Sequence, residues 1–398
     1  MAARPLVLRA DRVVVPGGVL SPGEVTVRGG SILAVGPAPR RPAPEPGTVL
    51  APGFVDLQVN GAGRHAVADL RSPAAWDEVG RTLLAGGTTT WCATLLSAAD
   101  RSTAAALRRV GTAADPAGRA TAARGSPAGP ALAGAHLEGP FLGIPGAHPV
   151  EHVRSEVPRR WAASLPAVVR VVTIAPELPG ALGAVRDLAR RDVLVALGHS
   201  HCTAEEAHAG AAAGARLVTH LGNAMHPLHQ RDPGLFGAAL ADPRLAVSLI
   251  ADLEHVHPDV LRLAFAAKGP DGVVLVTDRV AEPPGLPAPA AGDASPGHGG
   301  TVGRLLARRL PGGGLTGTAA GMADMVAGCV LGAGVDLVAA VAAASTTPAR
   351  LLGLTDRGAL APHRRADVVE LVDRDGWLHV RRVWVAGRPP GPGAAERR

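Results

Sequence analysis

Eight times along the middle of the chain, a run of apolar, often β-branched residues ends in a polar or charged cluster and gives way to an alanine-rich stretch. The runs are FVDLQVN (54–60), TTTWCATLLS (88–97), ALAGAHLEG (131–139), VVRVVTIAPE (168–177), DVLVALGHS (192–200), RLVTHL (216–221), AVSLIAD (246–252) and GVVLVTD (272–278). Unbroken apolar runs suit strands whose sheet is covered on both faces, and alternation with helices makes that sheet parallel. Eight such units predict an α/β fold, a (β/α)8 TIM-like barrel, with its active site at the carboxyl ends of the strands. The competing doubly wound sheet lacks support, because no G-x-G-x-x-G follows the first run.

The flanks read differently. LVLRADRVVV, EVTVRG and SILAVG precede the first unit, and ADVVELVD and LHVRRVWVAG follow the last, broken by Pro/Gly turns. Neither flank has enough strands to be stable alone. Residues 1–52 and 361–398 are therefore expected to form one small β-sandwich domain around a barrel of residues 53–360.

Composition narrows the class. With 47% hydrophobic but only 2% aromatic residues, and no tyrosine, the core must be built from Ala, Val and Leu. That apolar content excludes a disordered chain, and no apolar run is long enough to span a bilayer. The opening MAARPLVLRADRVVV lacks a signal-peptide apolar region. The net charge of +6 is carried almost wholly by scattered arginines without interleaved aromatics, which argues against a nucleic-acid partner. Three well-separated cysteines, odd in number and without a C-x-x-C, predict free thiols in a reducing compartment. A soluble, cytoplasmic protein is expected.

One βαβ unit can be read in detail. After the run 192–200, Thr203 and Glu206 have capping-box spacing, AEEAHAGAAA is built of helix formers, and Gly214 is placed to end the helix. His199 and His220, 21 residues apart in sequence, then fall at the carboxyl ends of neighbouring parallel strands.

The unusual polar residues gather at such ends: Asp56, Gln58, Asn60, His136, Glu138, Glu177, His199, His220, Asp252 and Asp278. A lone histidine there is more often a hydrogen-bonded core residue. Two histidines on matching ends plus Glu138 supply two imidazoles and a carboxylate, a set suited to a divalent transition metal with a position left open. Zinc is the default; iron, cobalt and manganese accept similar ligands. Asp278 is either a proton carrier beside such a metal or a helix N-cap. Arg231, in the long loop LGNAMHPLHQRDPGLFG, is either a phosphate or carboxylate grip or a solvated arginine.

In order along the chain, APGFVDLQVNG, HLEGPFL, GAH, TIAPE, GHSHCTAEEA, THLGNAMHPL, LVTD and LTGTAAGM resemble the N-acetylglucosamine-6-phosphate deacetylases of the amidohydrolase superfamily, from about residue 5 to 388. HLEGPF with THLGNAM is the specific part; PGFVD alone points only to the superfamily. The resemblance implies hydrolysis of the acetamide of N-acetyl-D-glucosamine 6-phosphate to glucosamine 6-phosphate and acetate. It implies Glu138, His199 and His220 as metal ligands, Asp278 as acid/base and His148 as polariser of the acetamide carbonyl. It further implies that Asn223, Ala224, Arg231 and His255 hold the sugar phosphate, with Gln58 a further substrate contact, in a homodimer whose sites lie near the interface. Two-metal relatives carry His-x-His at the first strand end; Asp56-Leu57-Gln58 has no histidine, so one metal per subunit is expected.

Three departures from the family pattern stand out. Leu253 replaces glycine in A-D-G-x-H, Arg279 follows Asp278 where a small residue is usual, and LTGTAAGM carries threonine and alanine in place of serines. Arg279 is expected to put a cation near the catalytic carboxylate. Two other readings remain: a deacetylase of a related sugar such as N-acetylgalactosamine 6-phosphate, or an inactive scaffold of the same fold.

Overall fold

The computed structural model describes residues 4–39, 43–114, 129–282, 307–309, 314–374 and 376–389. The outer ends of both flanks, 1–3 and 390–398, lie outside the described residues.

The chain opens with β1 (Leu6–Ala10), β2 (Arg12–Val15), β3 (Gly18–Leu20), β4 (Gly23–Arg28), β5 (Ser31–Pro37) and β6 (Thr48–Pro52). β7 (Phe54–Val59) starts the barrel, followed by a two-residue hairpin, β8 (Gly61–Ala62) and β9 (His65–Ala66). The remaining barrel strands are β10 (Thr88–Leu95), β11 (Ala131–Glu138), β12 (Val169–Ile174), β13 (Leu194–Leu197), β14 (Leu217–Val218), β15 (Ala246–Leu249) and β16 (Val273–Leu275). A hairpin, β17 (Ala307–Arg309) with β18 (Leu315–Thr318), and the closing pair β19 (Val368–Arg374) and β20 (Trp377–Trp384) complete the list.

β7 and β10 to β16 form one parallel sheet in sequence order, so each of the eight expected runs supplies a strand. The sheet rolls up because Val59 bridges Arg279 in parallel, with Asn60 and Gly61 both donating to the Arg279 carbonyl at 2.7 and 2.9 Å. Helices Pro73–Ala85, Asp100–Ala114, Ala181–Ala189, Ala204–Ala213, Gly234–Ala241 and Pro258–Lys268 follow strands around the outside. The helix after β13 begins with the capping box expected of Thr203 and Glu206 and ends at Gly214. β11 is the exception: only short helical turns, Val150–His152 and Trp161–Ser164, stand between it and β12, leaving a long loop over the strand ends.

Every residue of β7 and β10 is buried, the burial that a continuous apolar run demands. The interior is mostly Val, Leu and Ala, with Phe54 and Phe141 its largest fully buried side chains. Full burial of one Val or Leu side chain contributes roughly 1.5–3 kcal/mol, so many medium-sized residues replace the missing aromatics.

Both flanks meet in one sheet ordered β20-β19-β6-β2-β3: β19 runs antiparallel to β6 (Val369 opposite Ala51), and β6 runs parallel to β2 (Val13 opposite Leu50). A second sheet, β1-β4-β5, packs with it around Leu8, Val13, Val25, Ile32, Leu50, Val368 and Trp384. At the crossing into the barrel, a Cβ on Gly53 would lie 2.2 Å from Thr89 Oγ1; only glycine fits between β6 and β7.

Candidate active site

The carboxyl ends of the strands bring the polar residues together. Glu138 ends β11, while His199 and His220 follow β13 and β14, which pair through Leu197 and Val218. All three are buried, and their ligand atoms lie within 4.8 Å of one another. His220 Nε2 is 3.0 Å from Glu138 Oε1, His199 Nε2 is 3.3 Å from the same oxygen, and the two Nε2 atoms are 3.1 Å apart.

Proton positions follow from the outer partners. His199 Nδ1 faces the Ile144 carbonyl at 2.8 Å, so Nδ1 carries the hydrogen and Nε2 turns a lone pair inward. His220 Nδ1 is buried and has no hydrogen-bond partner among the described residues, which leaves its tautomer free to present Nε2 to a ligand. Two imidazole nitrogens and a carboxylate oxygen at mutual contact fit one divalent ion. Burial opposes the charge of Glu138, yet the three imidazoles around it, His148, His199 and His220, hold its carboxyl well below the usual range. His220 is pushed down by burial, which favours the neutral imidazole a metal needs.

His148 lies in the long loop after β11, its Nε2 3.6 Å from Glu138 Oε2. The Ser97 backbone N–H donates to its Nδ1 at 3.1 Å, and the Ser97 hydroxyl lies 3.0 Å away. A backbone N–H can only donate, so Nδ1 accepts and Nε2 bears the proton. Among the described residues that Nε2–H makes no hydrogen bond, the Glu138 oxygen at 3.6 Å lying beyond reach.

Asp278 follows β16 and accepts at Oδ1 from Gln58 Nε2 at 3.0 Å and Asn60 Nδ2 at 2.6 Å. Gln58 Nε2 also reaches Glu138 Oε1 at 2.8 Å. Burial, and then the negative charge of Glu138, push the Asp278 carboxyl well above its ordinary value against the pull of the Asn60 and Gln58 donors. Behind it, fully buried Asp56 accepts from the Thr277 hydroxyl at 2.6 Å and amide at 3.3 Å, and burial raises it to about 6.

His199, His220 and Asp278 have φ of 51°, 31° and 49°, joined by Ala224 at 49° and Leu253 at 66°. Left-handed backbone in non-glycine residues carries strain of about 1–3 kcal/mol each and gathers where side chains must be aimed at a site.

The other expected residues spread outward. Asn223 Nδ2 donates to the His220 carbonyl at 3.2 Å, and Ala224 O accepts from Ser200 N at 3.1 Å. Asp252 accepts from the His255 amide at 2.8 Å and its Nδ1 at 2.7 Å, orienting that ring. Arg231 is exposed on the loop after β14. His136 is a satisfied core histidine, bonded to Leu57 O and Thr173 Oγ1, with burial lowering it to about 4.

Arg279 departs from expectation. Its guanidinium does not meet Asp278; it turns away to the Ala320 carbonyl at 3.1 Å and Glu282 at 3.0 Å. The Arg279 backbone is committed to closing the barrel at Val59 and joining Thr318, and the side chain leaves on the hairpin side. Sequence reasoning gave no role to Asn60 or Ser97. Asn60 had a signal, since it repeats Asp56 and Gln58 at the two-residue period of a strand. Ser97 had none.

The amidohydrolase family model matches residues 49–389. The chain is 34% identical to an N-acetylgalactosamine-6-phosphate deacetylase of Escherichia coli O157:H7, covering 96% of this chain and 98% of the relative. It is also 34% identical to an N-acetylglucosamine-6-phosphate deacetylase of Bos taurus, covering 97% and 96%. A Mycobacterium smegmatis N-acetyl-D-glucosamine-6-phosphate deacetylase variant, solved in complex with N-acetyl-D-glucosamine-6-phosphate, superposes with a TM-score of 0.81 at 30% identity, covering 99% of this chain and 100% of that one. The chain belongs to the amidohydrolase family.

Proposed function

We propose that this protein is a metal-dependent deacetylase that hydrolyses N-acetyl-D-glucosamine 6-phosphate to glucosamine 6-phosphate and acetate. The observation that carries this reading is the convergence of Glu138, His199 and His220 with Asp278, joined to Glu138 through Gln58. The relatives above, named for this class of reaction, support it.

Glu138, His199 and His220 would hold one divalent ion per subunit, zinc by preference and iron, cobalt or manganese as substitutes. When bound, the ion is a Lewis acid that acidifies water and polarises a carbonyl. Asp278 takes the proton of the attacking water and returns it to the departing amine nitrogen as the C–N bond breaks. Asn60 and Gln58 aim its carboxylate. The His148 Nε2–H donates to the acyl oxygen as negative charge develops there. Gln58 keeps its side-chain oxygen for substrate, since its nitrogen is taken by the two carboxylates.

Asn223, Ala224, Arg231 and His255 bind the sugar phosphate. Among the described residues Arg231 has no ion pair, which suits a guanidinium reserved for phosphate. Its exposed loop suits a homodimer in which sites sit near the interface. A barrel of residues 53–360 flanked by 1–52 and 361–398 carries this chemistry. Three free buried cysteines fit the reducing cytoplasm, and among the described residues no helix is long and apolar enough to cross a membrane.

A second reading, N-acetylgalactosamine 6-phosphate as substrate, is favoured by the equal identity to the Escherichia coli relative. The test is acetate release from both sugars, with and without the 6-phosphate, on metal-quantified protein. The higher kcat/KM should belong to N-acetylglucosamine 6-phosphate. No release from any member would sink the deacetylase reading and favour an inactive scaffold.

A further inference from the structure

A second pair of histidines repeats the geometry of the first. His199 and His220 have ring centroids 4.9 Å apart, planes inclined at 70° and facing nitrogens 3.1 Å apart. His201 and His226 have centroids 4.9 Å apart, planes at 71° and His201 Nδ1 2.9 Å from His226 Nε2. The pairs come from the same two loops, since His201 lies two residues after His199 and His226 six after His220. The outer pair is exposed where the inner one is buried.

We propose that His201 and His226 form a second, weaker site for a divalent transition ion, outside the buried cluster. Two nitrogens facing at this distance either share one proton or ligate one cation. Glu177 adds negative charge beside the pair: Oε1 accepts the His201 backbone amide at 2.8 Å, and Oε2 accepts the Ser200 hydroxyl at 2.7 Å. The loop after β11 closes onto this corner so tightly that a Cβ on Gly143 would lie 2.2 Å from Glu177 Oε1. Imidazole donors select zinc, copper, nickel or cobalt over the oxygen-seeking magnesium and calcium. Water fills the remaining positions at an exposed site. An ion held there cross-links the loops that carry His199 and His220, so its binding stabilises the fold as well.

Zn(II) titrated into metal-stripped full-length protein, followed by calorimetry, tests this independently of any activity. The expected result is two equivalents, one tight and one weaker, with a further rise in Tm as the second binds. His226→Ala should weaken the second equivalent by about tenfold or more and leave the first intact, and His201→Asn should do the same. Glu138→Gln should weaken the tight equivalent and spare the other, so failure of the buried site and failure of this one are distinguishable. Saturation of the wild-type chain at one equivalent, or an unchanged second equivalent in both histidine variants, would overturn the proposal.

Discussion

Glu138 and Asp278 lie on either side of a single amide nitrogen: Gln58 Nε2 is 2.8 Å from Glu138 Oε1 and 3.0 Å from Asp278 Oδ1. The proposed ligand and the proposed proton carrier are thus held at a fixed separation, and each feels the other's charge. That proximity is one cause of the elevated Asp278 carboxyl.

Asp278 must begin the reaction ionised, so kcat/KM should fall on acidification as its carboxylate takes up a proton. Asn60 donates to the charged form at 2.6 Å and favours it. Asn60→Ala should therefore move the acid limb to higher pH at unchanged metal content. Asp278→Asn should lower kcat by about 10²–10⁴-fold with metal retained. Full activity of that variant, or a limb unmoved in Asn60→Ala, contradicts the assignment.

Asp56 makes stability pH-dependent. The unfolded chain releases this proton near 3.8, whereas the folded chain holds it to about 6 because of burial. Between those values the folded state binds more protons, so stability should fall as pH rises through the window and level off above it. The contribution is on the order of 2–3 kcal/mol at about 1.4 kcal/mol per unit. Denaturant melts of wild type and Asp56→Asn between pH 4 and 7 check it. The difference between the two curves should change across the window, and a constant offset counts against this origin.

Leu253 has φ of 66° and packs on the π-helical turn Gly328–Gly332, where a Cβ on Gly332 would come within 2.6 Å of its Cδ1. The bare glycine leaves room for the leucine side chain, which offsets a backbone that glycine would adopt without strain. Leu253→Ala loses the packing and keeps the strain; Leu253→Gly loses the packing but relieves the strain. Glycine should therefore be the more stable variant by about 1 kcal/mol, the reverse of the usual order. Chemical denaturation of the two proteins decides.

Much of this was legible because barrel strands write themselves plainly. Each must be apolar along its length and polar only where it emerges, so Glu138, His199, His220 and Asp278 stood out against Val, Leu and Ala. Asn60 was legible in principle, two residues beyond Gln58 on the same strand face. The direction of Arg279 was not, because it depends on the hairpin β17–β18, which meets the barrel only in three dimensions. Nor was the left-handed backbone at His199, His220 and Asp278, which arises where chain leaving a strand must turn a side chain into the mouth. The role of Ser97 depends on the chain folding back across a sequence separation of 51 to place His148 against its amide.

That last contact makes a prediction about atoms rather than residues. With Nδ1 accepting from the Ser97 N–H, His148 is the Nε2–H tautomer, and its donor, 3.6 Å from Glu138 Oε2, is left for the acyl oxygen of the proposed mechanism. A glutamine at 148 can place a side-chain N–H near the former Nε2, whereas an asparagine reaches only as far as the former Nδ1. His148→Gln should consequently retain more kcat than His148→Asn, and His148→Ala should lose about 10²–10³-fold, the range for removing one oxyanion donor. KM should change less than kcat, because the bond strengthens as charge accumulates on the oxygen. Nitrogen-15 NMR of the histidine rings reads the tautomer directly. A protonated Nδ1 at position 148, or equal activity in the glutamine and asparagine variants, would remove His148 from the acyl oxygen.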